Sequence, residues 1–530
     1  MNPDHDLDET HAGVADAEVT APASLPPGGH AEGGHGDGGR PGRRRTNLAR
    51  GSGAVGIAAA TGLVLALWMP RGPLDALDAV ASVALCGGAG ALAGWVSRSR
   101  LAMLLGPLGL GVGLELGRLH LAGPTVDAPQ ASLYGAIALI LGRGVQAVYT
   151  VLPMVLGASV GAALRRRSLG VGPGRVRWLR RAGVIALAGV VVAATALAAV
   201  PGRTQPILGA DGRPQPGSVA ELARIPIGGH ELGIMIRGRS TDRPVLLYLA
   251  GGPGGSELGA MRSDAGLESD FVVATLDQRG SGTSYDQLDP TSTLTFASAV
   301  DDAIAVTEYL RERFGQDRIF VVGQSYGSLV AVLAAERRPD LYRGVVGTGQ
   351  MVSVLETDRI TYADKLAWAD ATGQTGLAAE LRRIGEPPYT DVLHYETAVS
   401  GEQDLYAYDR ASNAEGAGGF SEHIFADEYS LLQRLHNLPA FLDTFAVLYP
   451  QLQDVDLRRD VTRLDVPVLL VEGRHEIPGR SGPAREWFDR LDASKGKTWV
   501  ELDTSGHRPI FEQPARFQAA MRDFARATES

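Results

Sequence analysis

The chain reads RIFVVGQSYGSLVAVLAAER over residues 318–337, and this stretch decides the fold. A short apolar run rich in β-branched residues leads into Gly-Gln-Ser-Tyr-Gly, and a segment of helical periodicity follows. A strand that turns sharply through Gly-x-Ser-x-Gly into a helix lifts the serine hydroxyl out of the sheet. Glycines must flank Ser325 because a larger side chain would clash in so tight a turn. The stretch therefore predicts an exposed, nucleophilic Ser325 at the carboxyl end of a strand.

The same alternation of strands and helices extends on both sides of this turn. Apolar, β-rich runs occur at 232–237, 245–250, 271–276, 318–322, 344–348, 467–472 and 498–502, and helical periodicity occurs at 299–313, 327–337, 482–492 and 512–526. Strands that alternate with helices indicate a mostly parallel sheet covered by helices on both faces. Residues 351–460 interrupt the rhythm and read as largely helical, which predicts a helical cap inserted between two strands.

A serine hydroxyl is a poor nucleophile unless a base takes its proton. In a fold with this kind of turn, the chain order is serine, carboxylate, histidine. His507 follows the predicted strand 498–502 and precedes the last helix, so it is the predicted base. Glu476 lies in the turn after the preceding strand and is predicted to accept the imidazole N–H, with Glu472 as the alternative carboxylate.

An oxyanion hole requires backbone N–H groups beside the attacked carbonyl. Tyr326, the residue after the nucleophile, is predicted to supply one of them. Gly252, in the glycine-rich turn 251–255 after a strand, is predicted to supply the other. The same turn could cradle a phosphate, but neither the lysine nor the helix-opening Ser or Thr of a phosphate loop follows it.

These motifs resemble those of the prolyl iminopeptidase group of α/β hydrolases. The resemblance rests on Gly251–Gly254, Asp277–Ser284, Gly323–Gly327, Gly347–Gln350 and Ser505–His507, and it extends over residues 225–530. It implies an α/β-hydrolase fold with a helical cap, and a cofactor-free serine hydrolase that removes an N-terminal residue, often proline, from short peptides. Ala250 stands where the group usually has His, and Glu476 where it usually has Asp, so proline specificity stays open.

Long apolar segments fill the first 200 residues. A membrane helix needs about 20 apolar residues, and the predicted spans are 52–69, 76–96, 101–119, 143–164 and 182–200. Residues 131–142 are expected to form a separate interfacial or re-entrant helix, because Arg143 and Gly144 interrupt the apolar run. Glu115 and Arg143 lie near the outer ends of two spans, where they either pair or extend to the membrane surface.

The arginines predict the orientation of this region. Five spans place all the arginine-rich loops on one face, which the positive-inside rule makes cytoplasmic. We therefore expect a multi-pass protein of the cell membrane, with a cytoplasmic N-terminus and an extracytoplasmic hydrolase domain. The arginines concerned are Arg43, Arg44, Arg45, Arg50, Arg98, Arg100, Arg165, Arg166, Arg167, Arg175, Arg177, Arg180 and Arg181.

Five regions are predicted along the chain: a disordered tail 1–50, a membrane region 51–200, a linker 201–225, a hydrolase core 226–350 and 461–530, and a cap 351–460. The tail has few large apolar residues. Its histidines, His5, His11, His30 and His35, lack regular ligand spacing, so no metal site is predicted. The net charge of −10 gives no sign of a nucleic-acid partner, and the single Cys86 cannot form an intrachain disulfide.

The leading functional hypothesis is a membrane-anchored aminopeptidase or amidase that acts on a small molecule or short peptide through a Ser-His-Glu triad and an acyl-enzyme. An esterase or lipase with the same triad is one alternative, and a non-catalytic membrane receptor with a hydrolase-like shell is another. An aminopeptidase must hold a substrate ammonium near Ser325, and a buried cation requires a carboxylate partner. The cap offers four candidates, namely Glu356, Asp358, Asp427 and Glu428.

Overall fold

The protein is described from a computed structural model, which describes residues 41–170, 177–401, 405–406 and 425–529. Internal contacts divide the chain into two units, Met1–Thr46 and Asn47–Ser530. The described helices and strands lie in the second unit, apart from the start of the first helix. That helix begins at Pro41, inside the tail that was predicted to be disordered up to residue 50. The rest of the tail, with its four histidines, lies outside the described residues.

Apolar helices form the N-terminal region. They are α1 (Pro41–Trp68), α2 (Ala76–Ser97), α3 (Ala102–Arg118), α4 (Leu133–Ile137), α5 (Val145–Ser168) and α6 (Arg177–Ala198). Among the described residues, four helical stretches are long and apolar enough to cross a membrane: Arg50–Trp68, Ala76–Ser97, Leu133–Ser168 and Trp178–Ala198. The third predicted span is not among them. Helix α3 has 17 residues, which is about 25 Å of helix, slightly less than the hydrocarbon core of a bilayer.

The prediction of a separate interfacial helix at 131–142 is wrong. Leu133–Ser168 is one continuous 36-residue stretch, because a π-helical turn, Ala138–Gly144, joins α4 to α5. Arg143 does not break the helix, since its guanidinium pairs with Glu115 of α3, with Nη2 and Oε2 3.0 Å apart. The two ionisable groups therefore satisfy each other, which is the first of the two alternatives drawn from the sequence.

Small residues allow α2 and α5 to pack closely. A Cβ added at Gly90 or Gly94 of α2 would lie 2.2 Å from a carbonyl oxygen of α5. Added at Gly157 or Gly161 of α5, it would lie within 2.0 Å of a carbonyl oxygen of α2. Close backbone packing of this kind is common between membrane helices. Lipid tails are as apolar as the side chains, so the hydrophobic effect does not drive such helices together and van der Waals packing does.

An eight-stranded sheet forms the centre of the C-terminal region. Its strands are β1 (Val219–Ile227), β2 (His230–Gly238), β3 (Val245–Leu249), β4 (Val272–Leu276), β5 (Ile319–Gln324), β6 (Tyr342–Thr348), β8 (Val468–Gly473) and β10 (Lys497–Leu502), while β7 (Arg463–Leu464) pairs with β9 (Asp492–Ala493). The order is β1-β2-β4-β3-β5-β6-β8-β10. Strand β2 is antiparallel to β1 and β4, and the other pairs are parallel. The predicted mostly parallel sheet is confirmed.

The sheet begins earlier than predicted. Strand β1 starts at Val219, inside the expected linker 201–225, because it pairs along its whole length with β2 in an antiparallel hairpin. The mixed polar and apolar composition of β1 reflects its position at the edge of the sheet, where its residues are only partly buried.

Helices cover both faces of the sheet, as the alternation predicts. They are α7 (Leu258–Ser263), α8 (Phe296–Phe314), α9 (Tyr326–Arg337), α15 (Pro478–Arg490), α16 (Pro509–Glu512) and α17 (Pro514–Glu529). Strand β3 shows the two-sided burial, since Leu247 and Leu249 join the core that includes α8 and α9. Leu246 and Tyr248 join the opposite core, which includes Phe517 of α17. A central strand that is buried on both faces is typical of parallel sheets.

The predicted cap lies between β6 and β8 and is helical in its described residues. It contains α10 (Val354–Ala371), α11 (Thr375–Ile384), α12 (His394–Val399), α13 (Leu431–Leu448) and α14 (Leu457–Asp460). Helix α13 begins with a capping box, in which the Ser430 side chain accepts from the Gln433 N–H and the Gln433 side chain accepts from the Ser430 N–H.

Candidate active site

Ser325 lies in the turn between β5 and α9 with φ 52° and ψ −120°, a backbone conformation that residues other than glycine rarely adopt. The flanking glycines have the role that the sequence predicts for them. A Cβ at Gly323 would lie 2.2 Å from the Gly327 carbonyl oxygen, and a Cβ at Gly327 would lie 2.2 Å from the Leu249 carbonyl oxygen. The strained turn presents Ser325 at the N-terminus of α9, as a nucleophile elbow requires.

His507 and Glu476 are in direct contact. His507 Nδ1 and Glu476 Oε2 are 2.5 Å apart, and the Glu476 side chain is only 1% exposed. The other carboxylate oxygen, Oε1, accepts from the Ile477 N–H at 2.8 Å and from Arg480 Nε at 3.2 Å. Burial raises the pKa of Glu476, but the positive charges of Arg480 and His507 outweigh it and lower that pKa to about 2. The carboxylate therefore stays ionised and can orient the imidazole.

The loop that carries His507 is attached to the nucleophile turn. It follows β10, and Gln324 Nε2, one residue before Ser325, donates to the His507 carbonyl oxygen at 3.2 Å. Gly349, at the end of β6, lies against the imidazole, since a Cβ there would be 3.0 Å from ring atoms Cε1 and Nδ1. The His507 side chain keeps 17% of its surface exposed, so a substrate can reach it.

Glu472, the alternative carboxylate, is engaged elsewhere. Its Oε1 accepts from the backbone N–H of Gln350 at 2.9 Å, and the residue is buried at the end of β8. Burial holds the pKa of Glu472 well above its usual range, and the nearby charge of Glu476 adds to this effect. The structure thus brings Glu476 to His507 and leaves Glu472 buried against the backbone N–H of Gln350.

The glycine-rich turn 251–255 passes directly beside the nucleophile. A Cβ at Gly251 would lie 2.2 Å from Gln324 Oε1 and 3.2 Å from Ser325 Cβ. Gly252 has φ 130°, and a Cβ there would lie 2.6 Å from the Gly254 nitrogen. Tyr326 opens α9, where the first N–H groups of a helix have no helical partner. Tyr326 follows Ser325 in the chain, and Gly252 follows Gly251, the residue of the turn that lies against Ser325; their role as an oxyanion hole stays a prediction.

Three supporting groups have roles that the sequence reasoning did not assign. Gln278, from the quoted stretch Asp277–Ser284, donates to the Ala250 carbonyl oxygen at 3.0 Å and so holds the start of the glycine-rich turn. Asp277 accepts from both the backbone N–H and the hydroxyl of Thr283 at 2.8 Å, and burial raises its pKa to about 7. Arg480, in the first turn of α15, supports Glu476 by donating to its Oε1 at 3.2 Å.

The four cap carboxylates all have partners in the protein. Three of them pair with arginines, as Glu356–Arg458, Asp427–Arg434 and Glu428–Arg262. Asp358 is buried on α10 and accepts from the Tyr449 hydroxyl at 2.7 Å. Burial and the charge of Asp358 hold the pKa of Tyr449 above its usual range, and the charge of Arg480 opposes them.

The fold and this site define an α/β hydrolase. The family model for the alpha/beta hydrolase fold matches residues 244–514, which is just over half of the chain, and the protein belongs to that family. The apolar helices before residue 200 lie outside the match.

Within the family the chain is similar to proline iminopeptidases. It is 26% identical over 321 residues to the probable aminopeptidase YbaC of Bacillus subtilis (strain 168), a match that covers 59% of this chain and 98% of that protein. It is 24% identical over 312 residues to the proline iminopeptidase of Lactobacillus delbrueckii subsp. lactis, covering 57% and 96%. The crystal structure of a proline iminopeptidase-related protein from Thermus thermophilus is 20% identical, covers 58% of this chain and 98% of its own, and superposes with a TM-score of 0.41.

We expect Glu476→Gln to reduce kcat far more than Glu472→Gln. The first substitution removes the charge that orients His507, a loss that costs on the order of 10⁴ in triads of this kind. The second keeps the size of the side chain and an acceptor oxygen for the Gln350 N–H, which is the partner of Glu472 in the structure, so kcat should stay within about tenfold of the wild type. Steady-state kinetics of both variants on one substrate provide the measurement. Equal losses, or the reverse order, would show that the other carboxylate serves the base.

Proposed function

We propose that the protein is a membrane-anchored serine hydrolase that acts as an aminopeptidase or amidase. The observation that carries the proposal is the contact between His507 and a buried, ionised Glu476, beside a serine held in the strained elbow conformation. The names of the similar proteins, an aminopeptidase and proline iminopeptidases, support the peptidase class.

The reaction follows from the arrangement. His507 takes the proton of Ser325 while the Ser325 oxygen attacks the substrate carbonyl carbon. The N–H groups of Gly252 and Tyr326 stabilise the oxyanion that forms. His507 then donates the proton to the leaving amine, which departs and leaves an acyl-enzyme. A water molecule, deprotonated by His507, attacks the acyl-enzyme and releases the acid and the free Ser325.

Asp358 is our choice among the four cap carboxylates for holding a substrate ammonium. Asp358 is buried on α10, within the cap. Its Oδ1 accepts from the Tyr449 hydroxyl at 2.7 Å. A carboxylate in this position could offset the cost of burying a peptide N-terminus near Ser325.

A substrate comparison on the full-length protein tests the proposal. Aminoacyl anilides with a free N-terminus should be hydrolysed with a kcat/KM at least about tenfold above that of their N-acetylated forms, because acetylation removes the cation that a carboxylate would hold. Asp358→Asn should raise KM for the free substrates and leave a neutral acyl ester unaffected. Ser325→Ala is the control and should lose on the order of 10⁴–10⁶ in rate.

Each other outcome points to a different function. If acetylated and free substrates are cleaved equally well, the protein is an endo-acting amidase or an esterase. If only acyl esters react, it is an esterase or lipase. If the wild-type protein hydrolyses none of them, the hydrolase-like shell is a binding domain of a receptor.

We also propose that the hydrolase domain lies outside the cytoplasm. Arg165, at the C-terminal end of α5, stacks over Trp95 near the C-terminal end of α2, with 5.1 Å from its guanidinium carbon to the ring centroid, so these arginine-rich ends lie together. At the opposite end, Arg71 and Thr125 of the connecting loops contact the hydrolase core and cap. Helix α3 connects these two ends, although it is short. We therefore propose five passages with a cytoplasmic N-terminus, made by α1, α2, α3, the α4–α5 stretch and α6.

A pair of reporters fused after Ser530 tests this orientation. A reporter that is active only outside the cytoplasm should be active, and one that works only in the cytoplasm should be silent. The opposite pattern would contradict the proposed topology and would mean that the chain crosses the membrane an even number of times.

A further inference from the structure

A buried charge cluster joins the membrane helices to the catalytic part of the chain. It contains Arg71 from the loop after α1, Thr125 from the loop after α3, Asp443 from the cap helix α13, and Tyr285 and Asp289 from the hydrolase core. The Asp443 side chain is 0% exposed and that of Arg71 is 2% exposed. Burying a charged pair this deeply costs desolvation free energy unless the hydrogen-bonding groups of both partners are satisfied.

Asp443 receives four hydrogen bonds. Its Oδ2 accepts from Arg71 Nη1, from the Thr125 hydroxyl at 2.5 Å and from the Tyr285 hydroxyl at 2.6 Å. Its Oδ1 accepts from the Thr125 backbone N–H at 3.0 Å. Arg71 in turn donates two hydrogen bonds to the Asp289 carboxylate, from Nε at 2.9 Å and from Nη2 at 3.1 Å. One arginine therefore fixes the loop after α1 to both the cap and the core.

The neighbouring residue on α13 contacts the turns around the nucleophile. Thr444 donates its hydroxyl proton to the Gly280 carbonyl oxygen at 2.6 Å. A Cβ at Gly254, in the glycine-rich turn, would lie 3.0 Å from Thr444 Cβ and 3.0 Å from Phe441 Cα. The helix turn that Arg71 holds is therefore packed without a gap against the turn that carries Gly252.

The two loops of the cluster also accept hydrogen bonds from the apolar helices. Arg143 of the α4–α5 stretch donates to the carbonyl oxygens of Thr125 and Val126 at 2.8 and 2.9 Å. Arg118 of α3 donates to the Pro70 carbonyl oxygen at 2.6 Å. Both loops that reach the cluster are thereby fixed to the apolar helices from which they emerge.

We propose that Arg71 is a positioning residue, which acts through Asp443 to hold α13 against the glycine-rich turn and so keeps the oxyanion donors in place. On this view the apolar helices help to position the active site. This role would explain why the chain has more apolar helices than an anchor requires. The inference rests on the proposed hydrolase function. Oxyanion donors act only on the transition state and depend on accurate placement. A shifted turn should therefore lower kcat and leave KM unchanged.

Kinetics of substitutions in the full-length protein test the inference. Arg71→Met should lower kcat by at least about tenfold, which is the scale for a displaced oxyanion donor, with KM unchanged within about twofold. Arg71→Lys should recover only part of the loss, because one ammonium group cannot reproduce the bidentate grip on Asp289 together with the bond to Asp443. Thr125→Val keeps the charges and removes two hydrogen bonds, the one that the hydroxyl donates to Asp443 and the one that it accepts from Arg71 at 3.1 Å. It should give a smaller fall in kcat, and Thr125→Ser should keep the wild-type value.

Arg237→Met is the matched control. Arg237 also forms a buried ion pair, with Glu268 at 2.6 Å, and it bonds the Gln205 carbonyl oxygen at 2.6 Å, but its contacts lie around β2 and not on the glycine-rich turn. The thermal midpoint of this variant should fall about as far as that of Arg71→Met, since each loses one partner of a buried pair, while its kcat should stay within about twofold of the wild type.

The outcomes separate this inference from the proposed function. If the wild type is active and Ser325→Ala is inactive, but the Arg71 and Thr125 variants lose no more kcat than Arg237→Met, the positioning role is overturned and the hydrolase stands. A rise in KM without a fall in kcat also overturns it. If the wild type itself has no activity, the proposed function fails and this inference fails with it. If Arg71→Met does not fold, the Thr125 pair decides by the same criterion.

Discussion

The sharp turn at Ser325 is the constraint around which the rest of the site is arranged. Ser325 has a positive φ, and a side chain at either flanking glycine would collide with a backbone carbonyl oxygen where β5 meets α9. Because β3, β5, β6, β8 and β10 are parallel, their carboxyl ends lie along one edge of the sheet. The loops at that edge carry the glycine-rich turn, Ser325, Gly349, Glu476 and His507. The chemistry of the site therefore depends on the sheet holding five separate loops in register.

Two glutamates four residues apart show how the surroundings decide their roles. Glu476 and Glu472 are both buried, yet the pKa of Glu476 is lowered to about 2 and that of Glu472 is raised well above its usual range. The difference lies in their partners, since Glu476 faces Arg480 and His507 whereas Glu472 faces a backbone amide. Carboxyl groups whose pKa values are shifted in opposite directions are common in catalytic sites, and this supports the role proposed for Glu476.

Much of this arrangement could be predicted from the sequence, because local patterns determine it. Ser325 follows from a strand, turn and helix that are contiguous, and His507 follows from the order of elements that a parallel sheet imposes. The sequence favours Glu476 and keeps Glu472 as an alternative, since both lie near the end of β8; the structure shows that Glu476 contacts the imidazole and that Glu472 contacts the Gln350 N–H.

Contacts between residues distant in sequence set the limit of prediction. The continuity of Leu133–Ser168 depends on the bond between Arg143 and Glu115, 28 positions apart, so the arginine alone suggested a break. Asp443 and Arg71 are 372 positions apart, and no periodicity connects them. Strand β1 was assigned to a linker because its pairing with β2, and not its own composition, makes it a strand. Each of these features is a pairing, and a pairing leaves no signal in either segment by itself.

The most direct test of the central claim is the site of covalent labelling by a fluorophosphonate, mapped by mass spectrometry of peptides from the full-length protein. Such a reagent reacts with a serine only where a base activates it and an oxyanion hole accepts the phosphoryl oxygen. The account predicts one modified peptide, with the label on Ser325, and loss of that label in His507→Ala. A label on another residue, or labelling of Ser325 that does not depend on His507, would contradict it.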